Sequence, residues 1–287
     1  MATLISGVAV LVPLFGAEER GVAAPVIAGR VHDVYQPTAG KIFILVIGSD
    51  ARVGNPTGAR ADAIHVVGVN TRTLRAGILN FPRDSWVSIP GHGSGKINEA
   101  LIDGGPQLLA QTIENLTGIR LDYWVMTGFE GFRAIVRRVG GVPIHLGRDI
   151  HDPGGSGANL QAGRRVLDGA NALAYVRTRK AFSGGDVDRT TNQGRFLVAM
   201  LKELRRAVER NPAAVLKWSA IGRQHTRLSI TPEETFRLAV LATQIKPRSV
   251  GNVTVPVSIG SVGAASVVFI SGRAHDIYRR FEERASL

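Results

Sequence analysis

KIFILVIG, residues 41–48, is apolar from Ile42 onward, has the length of a strand and closes on a glycine. A continuous apolar run of that length is the pattern of a strand buried on both faces, and such a strand calls for helices on both sides of its sheet. The runs on either side extend this reading. AIHVVGVN (63–70) and RAGILNF (75–81), joined by TRTL, form a predicted hairpin. A helix is expected over 106–116, where Leu108, Leu109, Ile113 and Leu116 share one face and Gly118 stops it. DYWVMTG (122–128) is a strand, FEGFRAIVRRVGG (129–141) a helix ended by a glycine pair, and GVPIHL (141–146) a short strand. Residues 147–165 are polar and glycine-rich, hence a long surface loop of the kind that carries function. Helices are expected over 167–177, 190–210, 212–221 and 232–245, the last with Thr231 as cap and acids in its first turn. Strands at 250–257 and 265–270 precede a final helix over 273–284. Strands alternating with helices predict an α/β fold with a mixed sheet covered on both faces. No internal repeat or low-complexity tract interrupts the pattern.

Composition narrows the chemistry. A chain of 287 residues, 44% hydrophobic and 20% charged, is an ordinary globular protein, neither disordered nor many times membrane-spanning. The absence of cysteine excludes disulfides, thiolate nucleophiles and cysteine-bearing zinc sites. A net charge of +12 calls for an anionic partner: nucleic acid, an anionic membrane surface or a phosphorylated substrate. The run ATLISGVAVLVPLFGA after Met1 contains Pro13, lacks a basic start and is short of the roughly 20 apolar residues of a full span. It is taken as a trimmed anchor, with a buried N-terminal segment as the alternative. Residues 1–39 are accordingly leader and linker, and 40–287 one domain.

Five segments put polar residues at strand ends or in loops, where α/β proteins bind ligands. IGSDAR (47–52) delivers Asp50 and Arg52, and GARAD (58–62) delivers Arg60 and Asp62 immediately before another strand. Two carboxylates at facing strand ends can share a hard cation such as Mg²⁺, which takes one or two carboxylates and keeps several waters. In NFPRDSW (80–86), Pro82 stiffens the strand exit and sets where Arg83 and Asp84 project. GHGSGKINEA (91–100) is a glycine-rich loop carrying Lys96 and Asn98. It is not a Walker loop, because Ile97 stands where a magnesium-binding Ser or Thr is required. ALAYVRTRK (172–180) and GGDVDRTTNQ (184–193) supply Arg177, Arg179, Lys180, Asp186, Asp188, Arg189 and Gln193. Guanidinium groups bind phosphate oxygens bidentately and stay charged, so several converging on one pocket make a diphosphate site.

Taken together, IGSDAR, RAD, FPRD, GKIN, GFEGF…VGGV, LDGANALAYVRTRK and GDVDR…NQ resemble the LytR-CpsA-Psr family in content and order, across residues 40–205. The resemblance implies an α/β/α sandwich with an apolar tunnel for a polyprenyl tail. It implies one N-terminal membrane anchor, with the catalytic domain on the outer face of the cytoplasmic membrane. The implied reaction moves a glycopolymer (teichoic acid, capsule or arabinogalactan) from a polyprenyl diphosphate carrier to peptidoglycan. By position, Asp50 and Asp62 become the Mg²⁺ pair, and Arg60, Arg83, Arg177, Arg179 and Arg189 the diphosphate clamp, with Lys96 and Gln193 near it. Arg83, Asp84 and Arg179 join the two aspartates as catalytic residues, and the general base is Asp84 or Asp186. Phosphoryl transfer needs positioning and charge neutralisation more than covalent chemistry, so arginines and a metal suffice without a nucleophilic side chain. The chain departs from the family in Phe81, where isoleucine is commoner, in Asn192, where many members have arginine, and in a leader shorter than a normal anchor. Residues 206–287 match less clearly.

Two other readings stay open. A non-catalytic binder of polyprenyl phosphates would use the same residues. A DNA-binding regulator would need two adjacent helices, the second basic, which residues 202–225 could mimic; no nucleic acid partner is expected.

Overall fold

The structure, a computed structural model, describes residues 26–31, 40–51, 56–223 and 230–287. The expected leader and Arg52 lie outside these residues. Strands β1 (Val26–Arg30), β2 (Lys41–Ser49), β3 (Ala61–Asn70) and β4 (Arg75–Asn80) come first, then a two-stranded ribbon of β5 (Trp86–Ile89) and β6 (Gly93–Lys96). Next are α1 (Ala100–Thr117), β7 (Tyr123–Thr127), α2 (Phe129–Arg138), β8 (Val142–Leu146), β9 (Ile150–Asp152), β10 (Ala158–Leu160) and β11 (Gly163–Leu167). The chain continues through α3 (Gly169–Arg177), α4 (Asp186–Arg210), α5 (Ala214–Arg223), α6 (Pro232–Gln244), β12 (Val250–Thr254), β13 (Val257–Val262), β14 (Ala265–Ile270) and α7 (Ala274–Arg284).

Six strands form one mixed sheet in the order β1-β7-β2-β3-β4-β12, parallel at β7–β2 and β4–β12 and antiparallel elsewhere. α1 and α7 cover one face, where Phe43, Leu45, Ile47, Ile64, Leu79, Leu109, Ile113 and Phe281 are all buried. α2 to α6 lie over the other, completing the α/β/α sandwich.

The predicted hairpin is β3–β4, in register from His65↔Asn80 to Asn70↔Arg75. The predicted helix start at 106 marks a break inside α1: Gly104 and Gly105 leave the helical region and the helix resumes at Pro106. Thr231 caps α6 through a reciprocal box with Glu234. Several expectations are corrected. Residues 147–165 are not one loop, since β9, β10 and the start of β11 lie within them. The glycine-rich 91–100 contributes β6 to a ribbon. Residues 250–257 do not form one strand: β12 ends at Thr254 and β13 begins at Val257, separated by a segment containing Pro256, which has no N–H for a ladder. α4 begins at Asp186, earlier than expected.

β2 is buried on one face only. Phe43, Leu45 and Ile47 are buried, whereas Ile42, Ile44 and Val46 are half-buried, because they look into open apolar space beneath α4 rather than into packed side chains.

Candidate active site

The antiparallel pairing of β2 with β3 puts the end of one strand beside the start of the other, with Asp50 N–H donating to Arg60 O at 3.0 Å. Asp50 and Asp62 therefore line the same pocket, of about 230 Å³, together with Arg83, Arg177, Arg179, Lys180, Arg189 and Asp152. α3 brings the basic residues there. Asp168 caps it by accepting from Asn171 N–H at 2.8 Å, and Gly169 lets it press on α2, since a Cβ there would meet Arg133 O at 2.6 Å. Arg177 ends the helix with its guanidinium 4.6 Å over the Phe129 ring, and Arg179 and Lys180 follow, exposed.

The arginines are braced by acids. Arg83 pairs with Asp62 and lies 3.7 Å from both Asp84 and Asp186. Arg189 is 3% exposed and pairs with Asp186 at 2.9 Å, so a charge that burial alone would disfavour is held in place. Burial lowers the Arg83 pKa, but Asp62, Asp186 and Asp84 together outweigh it and the net shift is upward. For Arg189 burial wins, against Asp186 and Asp62, and the net shift is downward. Burial raises Asp186, against the pull of Arg189 and Arg83.

Next to this polar pocket, and sharing Asp62, Phe129 and Arg177 as wall, is an apolar cavity of about 120 Å³ between the sheet and α2, α3 and α4. Gly48 and Ala63, register partners, leave its floor low, while Phe132, Leu173, Val176 and Phe196 form its walls. Leu197 lines both this cavity and a further apolar one of about 230 Å³, floored by Ile42, Ile44, Val67 and Ile78 and roofed by Leu201, Leu238 and Leu241. The polar pocket and the two apolar cavities, a slot beneath α4, thus follow one another through shared wall residues.

Of the three carboxylates on the pocket wall, Asp50 and Asp62, at adjacent strand ends, fit a divalent cation in part. One Asp62 oxygen is engaged by Arg83, and among the described residues no three His, Asp or Glu side chains converge on one point. A cation held there would lean on Asp50, Asp62, waters and the ligand's own oxygens, the habit of Mg²⁺.

The LytR_cpsA_psr family model matches residues 23–277. The chain belongs to this family. It is 41% identical over 177 residues to the probable cell wall biosynthesis protein LcpB of Corynebacterium glutamicum, covering 57% of this chain and 42% of that protein. It is 37% identical over 175 residues to the polyisoprenyl-teichoic acid–peptidoglycan teichoic acid transferase TagT of Bacillus subtilis, covering 58% of this chain and 54% of TagT. The chain thus spans about half the length of these relatives. A structure of TagT bound to LI-WTA superposes with a TM-score of 0.72 at 25% identity, covering 94% of this chain and 99% of that one.

For this LytR_cpsA_psr member, the structure gathers Asp50, Asp62, Arg83, Arg177, Arg179 and Arg189 around one pocket. Arg60 is exposed and is not part of the pocket wall. Lys96 reaches Asp84 at 3.0 Å, so this pair braces Arg83 from behind rather than facing the pocket. Gln193 is buried, donating to Val176 O at 3.0 Å and Asp62 O at 3.3 Å, and therefore ties α3 and β3 to α4. Asp84 and Asp186, the two candidate bases, are likewise absent from the wall. The sequence reading missed Asp152 and Ser156, which reach the pocket from the β9–β10 turn. Ser156 Oγ is 2.8 Å from Thr178 Oγ1, which pins that turn beside Arg177 and Arg179. An acid followed by PGGSG is a tight-turn signal that could have located them.

Proposed function

We propose that this protein transfers a glycopolymer from a polyprenyl diphosphate carrier to a peptidoglycan hydroxyl at the outer face of the cytoplasmic membrane. The observation that carries the reading is the shared wall: a basic pocket opening directly onto an apolar slot matches a ligand that is diphosphate at one end and hydrocarbon at the other. The polyisoprenyl-linked polymer in TagT's name and the LI-WTA bound in its structure support the same class of donor.

Arg83, Arg177, Arg179 and Arg189 neutralise the diphosphate oxygens, and the slot takes the tail. The acceptor oxygen bonds to the phosphorus that bears the glycan. The bond from that phosphorus to the bridging oxygen breaks, and polyprenyl phosphate leaves with the electron pair. The hydroxyl proton passes to a pocket carboxylate. Asp50 and Asp62 would hold Mg²⁺, which supplies further charge neutralisation when bound.

The test is a purified protein given a polyprenyl diphosphate-linked glycan, acceptor glycan and Mg²⁺. Transfer is expected. Arg179→Ala, an exposed change that leaves folding intact, should cost about 10²–10³-fold in kcat/KM, the usual loss on removing one charge-stabilising donor. Tight binding of the lipid with no turnover would instead make the protein a carrier-lipid binder.

A further inference from the structure

A cleft of about 880 Å³ lies along a different stripe of α4 from the phosphate pocket. Asp188, Thr191, Asn192, Arg195, Val198 and Lys202 face it at helical spacing, whereas Arg189, Gln193, Phe196 and Leu197 face the pocket and slot. Its other walls are β8, at one side, and Val250 and Asn252 of the edge strand β12.

Its charge is unbalanced. Arg148, Arg195 and Lys202 are exposed cations with no ion pair to any described acid. The one wall carboxylate, Asp188, is turned to the loop, where it accepts from Gly184 N–H at 2.9 Å. The guanidiniums are pre-set. Arg195 donates to Asn192 Oδ1 at 3.0 Å, and Arg148 donates to Ala181 O at 2.7 Å while lying 4.8 Å over the Phe182 ring. Each keeps other N–H groups for a ligand. The same walls carry the half-buried apolar side chains of Ile144 and Val198 and the half-buried amide of Asn252, while Tyr175 is almost fully buried.

We propose that this cleft is a second binding site, for an anionic saccharide chain whose sugars carry carboxylates or phosphates. Fixed guanidiniums and amides suit acidic groups and hydroxyls, and the apolar stretches suit the C–H faces of sugar rings. The volume is that of a small-ligand cleft rather than a stripe that tracks a duplex. The segment 178–188 connects it to the pocket: Arg179 and Lys180 line the pocket, and Phe182 and Asp188 the cleft. A chain lying in the cleft can therefore pass round this segment to the diphosphate. Its use in transfer rests on the proposed function; the binding does not.

The experiment titrates the full chain calorimetrically with soluble carboxylate-bearing glycan strands, a phosphodiester-linked glycan, an uncharged chitin oligosaccharide and a duplex oligonucleotide. One anionic saccharide should bind, and which one identifies whether acceptor or donor polymer occupies the cleft. Arg195→Ala combined with Lys202→Ala should weaken it about tenfold, while cleavage of a polyprenyl diphosphate bearing a single sugar, too short to reach the cleft, stays as in the parent protein. Preference for the duplex, equal affinity for the uncharged sugar, no saccharide binding, or binding lost only on Arg179→Ala would each overturn the proposal. Failure of transfer with cleft binding intact would sink the proposed function and leave this site standing.

Discussion

His65 is a neutral imidazole buried at 2% exposure directly below the arginine cluster. Its Nδ1 donates to Asn80 Oδ1 at 2.7 Å, and Asn80 in turn donates to Asn252 Oδ1 at 2.8 Å and Val253 O at 3.0 Å. Burial lowers its pKa to about 4; Arg189 pushes the same way, and the bonds to Asn80 and Gln193 oppose it. A protonated His65 would add a second positive charge near the buried Arg189, so neutrality here avoids that repulsion. The unfolded chain takes up this proton near pH 6.5 and the folded chain only near 4. Stability is therefore complete above 6.5 and falls as pH drops from 6.5 to 4, by on the order of 3 kcal/mol from this group. Denaturant melts of the parent and of His65→Gln across that window should diverge, the variant showing the shallower loss. Parallel curves would mean that His65 is not held neutral.

Three glycines stand side by side across the sheet: Gly68 of β3 faces Gly77 of β4, which faces Gly251 of β12. They leave a bare lane on the α7 side. A Cβ at Gly68 or Gly77 would lie 2.7 or 2.9 Å from the Phe281 ring, and one at Gly251 would lie 2.5 Å from Leu287 O. The lane lets α7 settle close enough for Phe281 to meet Phe43 edge-on, with ring centroids 5.5 Å apart. α4 does the same on the opposite face, where Gly194 rests on the Asn80 and Asn252 amides and so presses Arg189 and Gln193 onto the strand ends. Gly68→Ala should destabilise by about 1–3 kcal/mol through overpacking against Phe281, measurable as a shift in denaturant midpoint with unchanged slope. A neutral result would show that α7 can give way.

Across the molecule, the polar pocket and the two apolar cavities adjoin through shared wall residues, because α4 meets the sheet closely at Gly194, over β4 and β12, and leaves space over β2 and β3. Leu197 stands where the two apolar cavities meet. Leu197→Trp should narrow the passage and lower kcat/KM for a long-tailed polyprenyl diphosphate about tenfold, leaving a short-tailed analogue unaffected. Equal losses on both substrates would mean the tail takes another route. The helix pair considered for DNA recognition has another role in the fold: α4 starts at Asp186 and brings Arg189 to the pocket, and α5 packs against α4 and α6.

Local order in the chain was enough to establish the alternating elements, the β3–β4 hairpin, the caps at Thr231 and Gly118 and the collinear motifs, since each depends on neighbours a few residues away. It also named most of the pocket, because Asp50, Asp62, Arg83, Arg177, Arg179 and Arg189 sit at element ends, where polar residues stand out against apolar runs. It did not separate the wall from its braces. Arg60, Lys96 and Gln193 are as polar as the rest, yet whether a side chain meets ligand or protein depends on which distant segment packs against it. Nor could it distinguish slot from core, because Ile44 and Leu45 read alike until α4 is placed. Only the tertiary structure decided those points, since an apolar residue faces a cavity or a packed core according to where the opposite layer comes to rest.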